Sequence, residues 1–489
     1  MLFQSLAYCL LFLLCAAVLA KVRSRGVRQA VLLLASYALY FTWGPWFAAV
    51  LLTSTIVNFL VGQWLRRRTS GAVLFLGILF NLALLGTFKY LPEAAPHIPL
   101  SSLHKFAHLA LPLGLSFWTF QAMSYLFDLY REEELDPSFF EFALYMVFFP
   151  VTISGPICRL PDMLPQFRSR EPTPWDDIGH GLRRIATGVL MVQVARLLGQ
   201  GILGGDGISS GFDRVTRWSG PDVWCLALGY GLQLFLDFAG YSHIAIGAAK
   251  ALGFTVPENF ARPFQSTNPS IFWTRWHMSL SFWIRDYIFL PLATLRREVW
   301  WRNLALVIAM VLFGLWHRAS WLFLLWGCYH GVLLVLHRQI QQAKRSFDRD
   351  PPAVSWTPVS WLATMALINL GWILFRANSM TTARQMLSAV VSPAGYGSHF
   401  LSGSLYLLVA AVAVGYGIVL YVVDALDRHS AEAETSQVQT AEAGTGFVAL
   451  AARWRWFWIP PLYALALILL LIVTLTRGAS TAQFMYNKF

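Results

Sequence analysis

The chain has 489 residues, of which 57% are hydrophobic and only 13% are charged. A soluble domain carries about 25% charged residues, so this composition argues against a soluble globular protein. The net charge of +12 comes from cations in short clusters between apolar runs. That pattern is typical of the cytoplasmic loops of membrane proteins and not of a nucleic-acid-binding surface. We therefore expect a polytopic integral membrane protein that contacts membrane lipid and binds no nucleic acid.

The first apolar run covers residues 2–20 and is followed by a basic cluster, Lys21, Arg23, Arg25 and Arg28. A cleaved signal peptide has the opposite order of charge, with the cations first. We therefore expect a retained first helix whose N-terminus lies outside and whose basic end lies in the cytoplasm.

Residues 28–66 form an almost uncharged run about twice the ~20 residues that a spanning helix needs. Gly44-Pro45 interrupts this run near its middle, which predicts a helical hairpin with both basic ends in the cytoplasm. With the remaining apolar runs, we expect an all-α helical bundle of about eleven or twelve segments, some short enough to be re-entrant or interfacial. These further runs are residues 72–89, 108–127, 139–153, 184–204, 222–252, 302–316, 319–337, 357–376, 403–425 and 456–476.

Two segments near the C-terminus differ from the spans. Residues 428–446 are rich in Ala, Glu, Ser, Thr and Gln, which predicts a mobile loop outside the bilayer. A final helix and an aromatic tail follow at residues 456–489. We expect the whole chain, residues 1–489, to form a single membrane domain. No internal repeat at a fixed period is evident, which disfavours a transporter built from repeats.

His330 is the clearest candidate for chemistry, because an ionisable group inside a membrane segment is costly. It lies in the otherwise uncharged run Trp321–Leu336, between Gly327 and Gly331. On a helix these glycines form a groove where a backbone or a thin acyl chain can approach the imidazole. An imidazole is a common general base near neutral pH. The alternative is a structural histidine that bonds a neighbouring helix.

Two further histidines are candidates. His317 follows an apolar run, so a capping or interfacial role is as consistent with its position as a catalytic one. His277 lies in the amphipathic stretch Phe272–Ser281, which either anchors the chain in the membrane interface or plugs the bundle. The adjacent Arg285 and Asp286 are expensive in lipid unless paired, which indicates a polar interior cavity.

The spacing of the histidines does not predict a metal site. His277, His317 and His330 are separated by 40 and 13 residues, and neither spacing places two ligands on one helix face. The five cysteines include no CxxC pair, and four of them lie in apolar runs. We therefore expect no metal, no disulfide framework and no bound cofactor.

Many short sequence motifs in this chain, called words below, resemble those of the bacterial branch of the membrane-bound O-acyltransferase (MBOAT) family. That branch holds alginate O-acetyltransferases and the D-alanyl transferases of teichoic acid. The resemblance is strong over about residues 105–340, which we expect to be the catalytic core, and loose at both ends. The matching words are Leu111–Phe117, Thr119–Gln121, Ser124-Tyr125, Phe148–Pro150, Ser154–Pro156, Asp237–Ser242, Pro257–Phe260, Phe272–Ser281, Trp283–Tyr287, Gly314–His317 and Trp326–Gly331.

The resemblance implies roles for individual residues. His330 matches the family's catalytic histidine, His277 matches the second signature polar position, and His317 lies in a word common to the bacterial branch. One departure is Gly240-Tyr241-Ser242-His243, where relatives usually read Gly-Tyr-Ser-Asp. That departure puts any charge-pair role at position 243 in doubt. Substrate-passage or support roles are implied for Arg275, Trp276, Asp237, Arg285, Asp286, Gly327 and Gly331.

The chain ends in Phe484–Phe489, an F-x-Y-x-x-F sequence similar to the terminal motif of the bacterial branch. We hypothesise that Tyr486 accepts the acyl group, with His330 as its base. The alternative is an aromatic anchor at the membrane interface.

The resemblance implies an O-acyltransferase of the bacterial cytoplasmic (inner) membrane. The expected reaction moves an acyl group, expected to be acetyl, from a cytoplasmic thioester such as acetyl-CoA towards hydroxyls of an exported or cell-surface polysaccharide such as alginate. A periplasmic or extracellular partner protein that completes the transfer is also implied. Teichoic-acid D-alanylation, lipid or protein acylation, a non-enzymatic transporter or flippase, and an inactive scaffold remain as alternatives.

Overall fold

The computed structural model describes residues 6–98, 101–153, 155–202, 206–214, 217–347 and 357–436, and most of these residues are helical, with no strand among them. A single β-bridge pairs Phe260 with Trp276. Short π-helical turns at Gly86–Tyr90 and Arg285–Phe289 continue neighbouring α-helices. The α-helices are α1 Leu6–Leu19, α2 Arg25–Phe41, α3 Pro45–Arg67, α4 Gly71–Leu85, α5 Leu91–Ala94, α6 Leu115–Tyr130, α7 Phe139–Val147, α8 Leu160–Arg168, α9 Trp175–Gln200, α10 Ile208–Arg214, α11 Gly220–Ala251, α12 Pro269–Arg275, α13 Met278–Ile284, α14 Leu290–Thr294, α15 Val299–His317, α16 Trp321–Phe347, α17 Thr357–Arg376, α18 Met380–Val391 and α19 Gly403–Ser436.

Seven helices in the described part of the chain are long and apolar enough to cross a membrane, against the eleven or twelve segments predicted. The difference arises partly because some predicted segments form shorter helices. Residues 139–153, for example, contain only the nine-residue α7, and the predicted segment 456–476 lies outside the described residues. The seven are Pro45–Arg67, Gly71–Ala94, Gly220–Ala251, Val299–His317, Trp321–Ala343, Thr357–Arg376 and Gly403–Ala425.

The predicted break at Gly44-Pro45 is confirmed. Helix α2 ends at Phe41 and α3 begins at Pro45. Gly44 has φ = +137°, a value that an L side chain rarely adopts, and Pro45 supplies the fixed φ that favours the first helical turn. Basic residues begin α2 and end α3, as expected for a hairpin with both ends on one side.

The chain divides into two compact units. The first comprises Met1–Ile185 and Tyr241–Gly371, and the second comprises Ala186–Gly240 and Trp372–Lys488, each taken over its described residues. The expectation of a single domain over residues 1–489 stays a prediction.

In the first unit, a buried carboxylate joins three helices. Glu141 on α7 forms ion pairs with Arg25 at the start of α2 and with Arg168 at the end of α8. It also accepts a hydrogen bond from the Ser138 amide at 2.8 Å, which completes a capping box. Burial raises the pKa of Glu141, but hydrogen bonds from Arg168 and Ser138 outweigh it and lower the value to about 2. The carboxylate is therefore ionised and holds α7 in place.

In the second unit, Asp222 at the start of α11 organises the segment before α19. Its carboxylate accepts hydrogen bonds from the Tyr406 hydroxyl at 2.6 Å and from the Leu401 amide at 3.1 Å. Helix α19 continues to Ser436, so the first part of the predicted loop 428–446 is helical. The rest of that loop and the predicted helix and tail at 456–489 lie outside the described residues.

Candidate active site

The site is built around the imidazole of His330, near the middle of α16 in the first unit. The residue is 1% exposed. Neither Nδ1 nor Nε2 has a hydrogen-bond partner among the described residues. Most buried polar side-chain atoms in proteins do have such a partner. An imidazole that is buried and unpaired is poised to exchange a proton with a bound ligand and is not tied to the scaffold.

Aromatic side chains enclose this imidazole. The ring of Trp273 on α12 packs edge-on against it at a centroid distance of 5.1 Å, and Trp326 on α16 lies at 4.9 Å. Tyr329 packs at 5.2 Å and donates its hydroxyl hydrogen to the carbonyl of Leu367 on α17 at 2.8 Å. These contacts fix the ring and give it surroundings of low polarity, in which electrostatic interactions are strong.

Gly371 on α17 makes room for the catalytic candidate. A Cβ placed on this residue overlaps Nε2 of His330 and lies 2.9 Å from Cε1. A side chain at position 371 is therefore incompatible with the observed ring position. The sequence analysis did not identify Gly371, because it lies on a different helix from His330 and its contact depends on tertiary packing.

Gly327 and Gly331 lie where α16 meets α15. A Cβ on Gly327 comes within 2.5 Å of the Met310 carbonyl oxygen, and one on Gly331 within 2.9 Å of Val307 Cα. The G-x-x-x-G groove is therefore filled by the backbone of α15, which is one of the two occupants that the pattern permits. A role in substrate passage for the two glycines stays a prediction.

His317 belongs to the same aromatic cluster. It is the last residue of α15, is 5% exposed, and stacks on Phe313 at 5.3 Å. Its ring also packs edge-on against Trp326 at 5.9 Å, and Trp326 in turn contacts His330. One indole therefore connects the two histidines.

His277 occupies a strained turn between α12 and α13. Its φ of 44° and ψ of 52° are left-handed, a conformation uncommon for a residue with a side chain and often found at functional sites. Burial lowers the pKa of His277 to about 3, so the imidazole is neutral. His277 is close enough for an electrostatic interaction with the imidazole of His317, so these two residues lie near each other.

Hydrogen bonds between the family-like words support the turn at His277. The Ser279 hydroxyl donates to Oδ1 of Asn259 at 2.6 Å, and Nδ2 of Asn259 donates to the Ser242 hydroxyl at 3.0 Å. The Met278 amide donates to the Asn259 carbonyl at 2.9 Å. Asn259 is fully buried and thus joins three words that are distant in sequence. The sequence analysis quoted Asn259 in a matching word but did not assign it a role.

The two residues before His277 have structural contacts. Trp276 is buried, stacks on Phe272 at 5.4 Å and pairs with Phe260 through the β-bridge. The carbonyl of Arg275 accepts a hydrogen bond from the Ala261 amide at 3.0 Å. Both residues therefore anchor the segment before α12 to the turn that carries His277.

Arg285 and Asp286 are paired, as the cost of an isolated charge predicts. Asp286 accepts from Nε of Arg285 at 2.7 Å and from Nη2 of Arg159 at 2.6 Å. Burial raises the pKa of Asp286, but the hydrogen bonds from the two arginines outweigh it and lower the value. The next residue, Tyr287, donates to Oδ1 of Asp128 at 2.6 Å. The pair belongs to a network that follows the end of α13.

Two further candidates, Asp237 and Tyr486, are not part of the described first unit. Asp237 belongs to the second unit, where it is buried in α11. Tyr486 lies outside the described residues. Among the described residues, no group of three or more His, Cys, Asp or Glu side chains has a geometry that could hold a metal ion.

Comparison with known proteins identifies the family of this chain. The model of the MBOAT, membrane-bound O-acyltransferase family matches residues 60–380. The chain is 32% identical over 439 residues to a probable alginate O-acetylase of Pseudomonas aeruginosa, covering 86% of this chain and 80% of the relative. It is 32% identical over 397 residues to a peptidoglycan O-acetyltransferase of Helicobacter pylori, covering 74% of this chain and 73% of the relative. A teichoic acid D-alanyltransferase of Streptococcus thermophilus is 30% identical over 260 residues, covering 50% of this chain and 61% of the relative. This chain belongs to the membrane-bound O-acyltransferase family.

Proposed function

We propose that the protein transfers an acetyl group from a cytoplasmic thioester, such as acetyl-CoA, towards hydroxyls of an exported or cell-surface polysaccharide. The observation that carries this proposal is the buried imidazole of His330, whose nitrogens lack hydrogen-bond partners among the described residues. Two relatives are named as O-acetylating enzymes, one for alginate and one for peptidoglycan, which supports acetyl as the acyl group.

His330 acts as the general base in this mechanism. One ring nitrogen takes the proton of the acceptor hydroxyl while its oxygen forms a bond to the thioester carbonyl carbon. The carbonyl π electrons move onto oxygen and give an oxyanion. When the oxyanion collapses, the carbon–sulfur bond breaks and the thiolate receives the proton from the imidazolium. The products are an ester and a free thiol, and His330 returns to its neutral form.

Trp273 is suited to stabilise the oxyanion. Its indole nitrogen is buried without a hydrogen-bond partner among the described residues, and its ring contacts His330. A fixed N–H donor beside the base stabilises the charge that develops on the carbonyl oxygen. His277 and His317, both buried beside the same aromatic cluster, position the donor or the acceptor.

Tyr486 is the proposed first acceptor. Its phenol would take the acetyl group from the thioester with His330 as base and then pass it to a second acceptor. The donor is cytoplasmic and the polysaccharide is outside, so the acyl group has to cross the bacterial inner membrane. A periplasmic or extracellular partner protein would complete the transfer to the polymer.

The first test is transfer of labelled acetyl from acetyl-CoA in membranes that contain the wild type or the His330→Ala variant. We expect label on polysaccharide or on the protein itself with the wild type, and at least roughly a hundredfold less with the variant. His399→Ala, which removes an exposed imidazole, is the matched control and retains full activity. Equal labelling by the wild type and His330→Ala would remove His330 from the mechanism. If Tyr486→Phe retains full transfer activity, the covalent role of Tyr486 is wrong.

A second candidate function is D-alanyl transfer to teichoic acid, favoured by the similarity to the enzyme of Streptococcus thermophilus. It uses the same base and differs in the acyl donor. Labelling from a D-alanyl thioester but not from acetyl-CoA would establish it. Loss of substrate transport in the His330→Ala variant, with no acyl transfer by the wild type, would instead support a transporter.

A further inference from the structure

A cavity of about 270 Å³ lies in the first unit and is lined by none of the residues around His330. It is bounded by the first turns of α9, the last turns of α11 and the segment that follows α11. Its lining combines apolar side chains with charged and polar ones. The lining residues are His180, Arg184, Ile246, Lys250, Phe254, Thr255, Val256 and Glu258.

The two cations of the cavity keep unused donors. Arg184 pairs with both oxygens of Glu258, and Nζ of Lys250 lies 2.8 Å from Oδ1 of Asp177. A guanidinium has five N–H donors and an ammonium has three, so these pairs do not exhaust either group. Nε of Arg184 is buried and has no hydrogen-bond partner among the described residues. Both cations can therefore bind an additional anion.

Hydrogen bonds locate the cavity at the basic end of the first unit. The Thr173 hydroxyl donates to the Leu252 carbonyl at 3.1 Å, and the Thr173 amide donates to the Leu19 carbonyl at 3.2 Å. Arg28 donates to the same Leu19 carbonyl at 2.8 Å. The cavity thus lies beside the basic segment after α1, at the end that the positive-inside rule assigns to the cytoplasm. Basic pockets between membrane helices on that side are suited to phosphate-bearing headgroups.

The unusual His243 lies beside this cavity. It is one helical turn before Ile246 on α11, and the charges of Arg184 and Glu258 act on its imidazole. A carboxylate at this position, as in the usual word of the resembled family, would place a second negative charge near Arg184. The neutral imidazole leaves Glu258 as the one carboxylate among the described lining residues. Because this chain has His243 where the family word has an aspartate, binding of an anion in the cavity is favoured.

We propose that this cavity binds a phosphate group, with Arg184 and Lys250 donating to its oxygens and the apolar side chains of Ile246 and Phe254 contacting the rest of the ligand. The headgroup of an anionic phospholipid and the phosphates of a soluble coenzyme A thioester share this chemistry. The cavity shares no lining residue with the site around His330. A lipid headgroup in it would be independent of the proposed reaction, whereas coenzyme A binding rests on the proposed function.

The test uses the full-length protein, purified in detergent and transferred to phosphatidylcholine nanodiscs. Native mass spectrometry measures retention of added phosphatidylglycerol, and titration calorimetry measures binding of coenzyme A. We expect the double variant Arg184→Gln/Lys250→Gln to weaken binding about tenfold or more, the value of a lost charge-assisted hydrogen bond. The double variant Arg67→Gln/Arg297→Gln removes two exposed cations elsewhere and leaves binding unchanged.

Two single variants separate an anion site from a merely structural ion pair. Glu258→Gln removes the competing negative charge and strengthens binding, whereas His243→Asp adds a negative charge and weakens it. Binding of phosphatidylglycerol alone identifies a lipid headgroup as the ligand, and binding of coenzyme A identifies the soluble phosphate. Equal binding by all variants, or weaker binding by Glu258→Gln, would overturn the proposal. These two variants decide the question even if the double variant does not fold.

Discussion

Replacing Gly371 with alanine tests whether the position of the His330 ring controls the reaction. The added Cβ would lie 2.9 Å from Cε1 of His330 and closer still to Nε2, whereas ordinary contacts are 3.4–4 Å. The ring or α17 must therefore move by about 0.5–1 Å to relieve the overlap. A misplacement of about 1 Å costs roughly a hundredfold in rate, which corresponds to about 2.7 kcal/mol of transition-state stabilisation. We expect kcat to fall by about that factor with little change in KM.

The assay is the initial rate of acetyl transfer from labelled acetyl-CoA, normalised to the amount of folded protein in the membrane. Gly415→Ala is the matched control, because a Cβ at that helical glycine meets no atom within 4 Å. The control should retain the wild-type rate. A wild-type rate for Gly371→Ala, at normal protein levels, would refute the requirement for a fixed imidazole.

Three further predictions concern other parts of the first unit. Trp273→Phe keeps an aromatic side chain but replaces the indole with a smaller phenyl ring that has no N–H donor. If the N–H binds the oxyanion, kcat should fall about a hundredfold at constant KM, and an unchanged kcat in the transfer assay would contradict that role. Glu141→Gln removes both ion pairs. Because folding lowers the pKa of Glu141 from 4.5 to about 2, the ionised carboxylate stabilises the folded protein at neutral pH, and this stabilisation is lost as the pH falls through that window. The melting temperature of the purified protein should therefore drop for Glu141→Gln at neutral pH and differ little from wild type once the pH is below that window. Gly327→Leu forces α15 and α16 apart and should abolish accumulation of folded protein. Size-exclusion chromatography of the detergent-solubilised protein measures this, and a normal elution profile would show that the close helix contact is dispensable.

Local signals predicted the helical architecture well. The Gly44-Pro45 break appears where composition indicated it, and Asn268 caps α12 by accepting from the Ile271 amide at 2.9 Å. Apolar length was less informative, since it does not distinguish a spanning helix from a short buried one. The segment 139–153 is predicted as a possible span, but α7 ends at Val147, where Phe148 leaves the helical conformation, and Glu141 anchors its other end.

The sequence also identified His330 and its neighbouring histidines, because a titratable residue in an apolar run is unusual. It did not identify the residues that give His330 its environment. Gly371 and Trp273 come from α17 and α12, and their contacts with the imidazole depend on how distant helices pack. No local pattern in a single sequence encodes such contacts. Asn259 is a similar case, since its role is to join words that only the fold brings together.

The unpaired imidazole of His330 also has a consequence for how the protein evolves. Burying a polar group without a partner destabilises the folded state by about 1–3 kcal/mol. An apolar residue of similar size, as in His330→Leu, should therefore give a protein that melts at a higher temperature and is inactive. Selection for folding alone would remove this histidine, and the proposed role of His330 as general base accounts for its presence. Thermostability screens of this protein should accordingly recover inactive substitutions at that position.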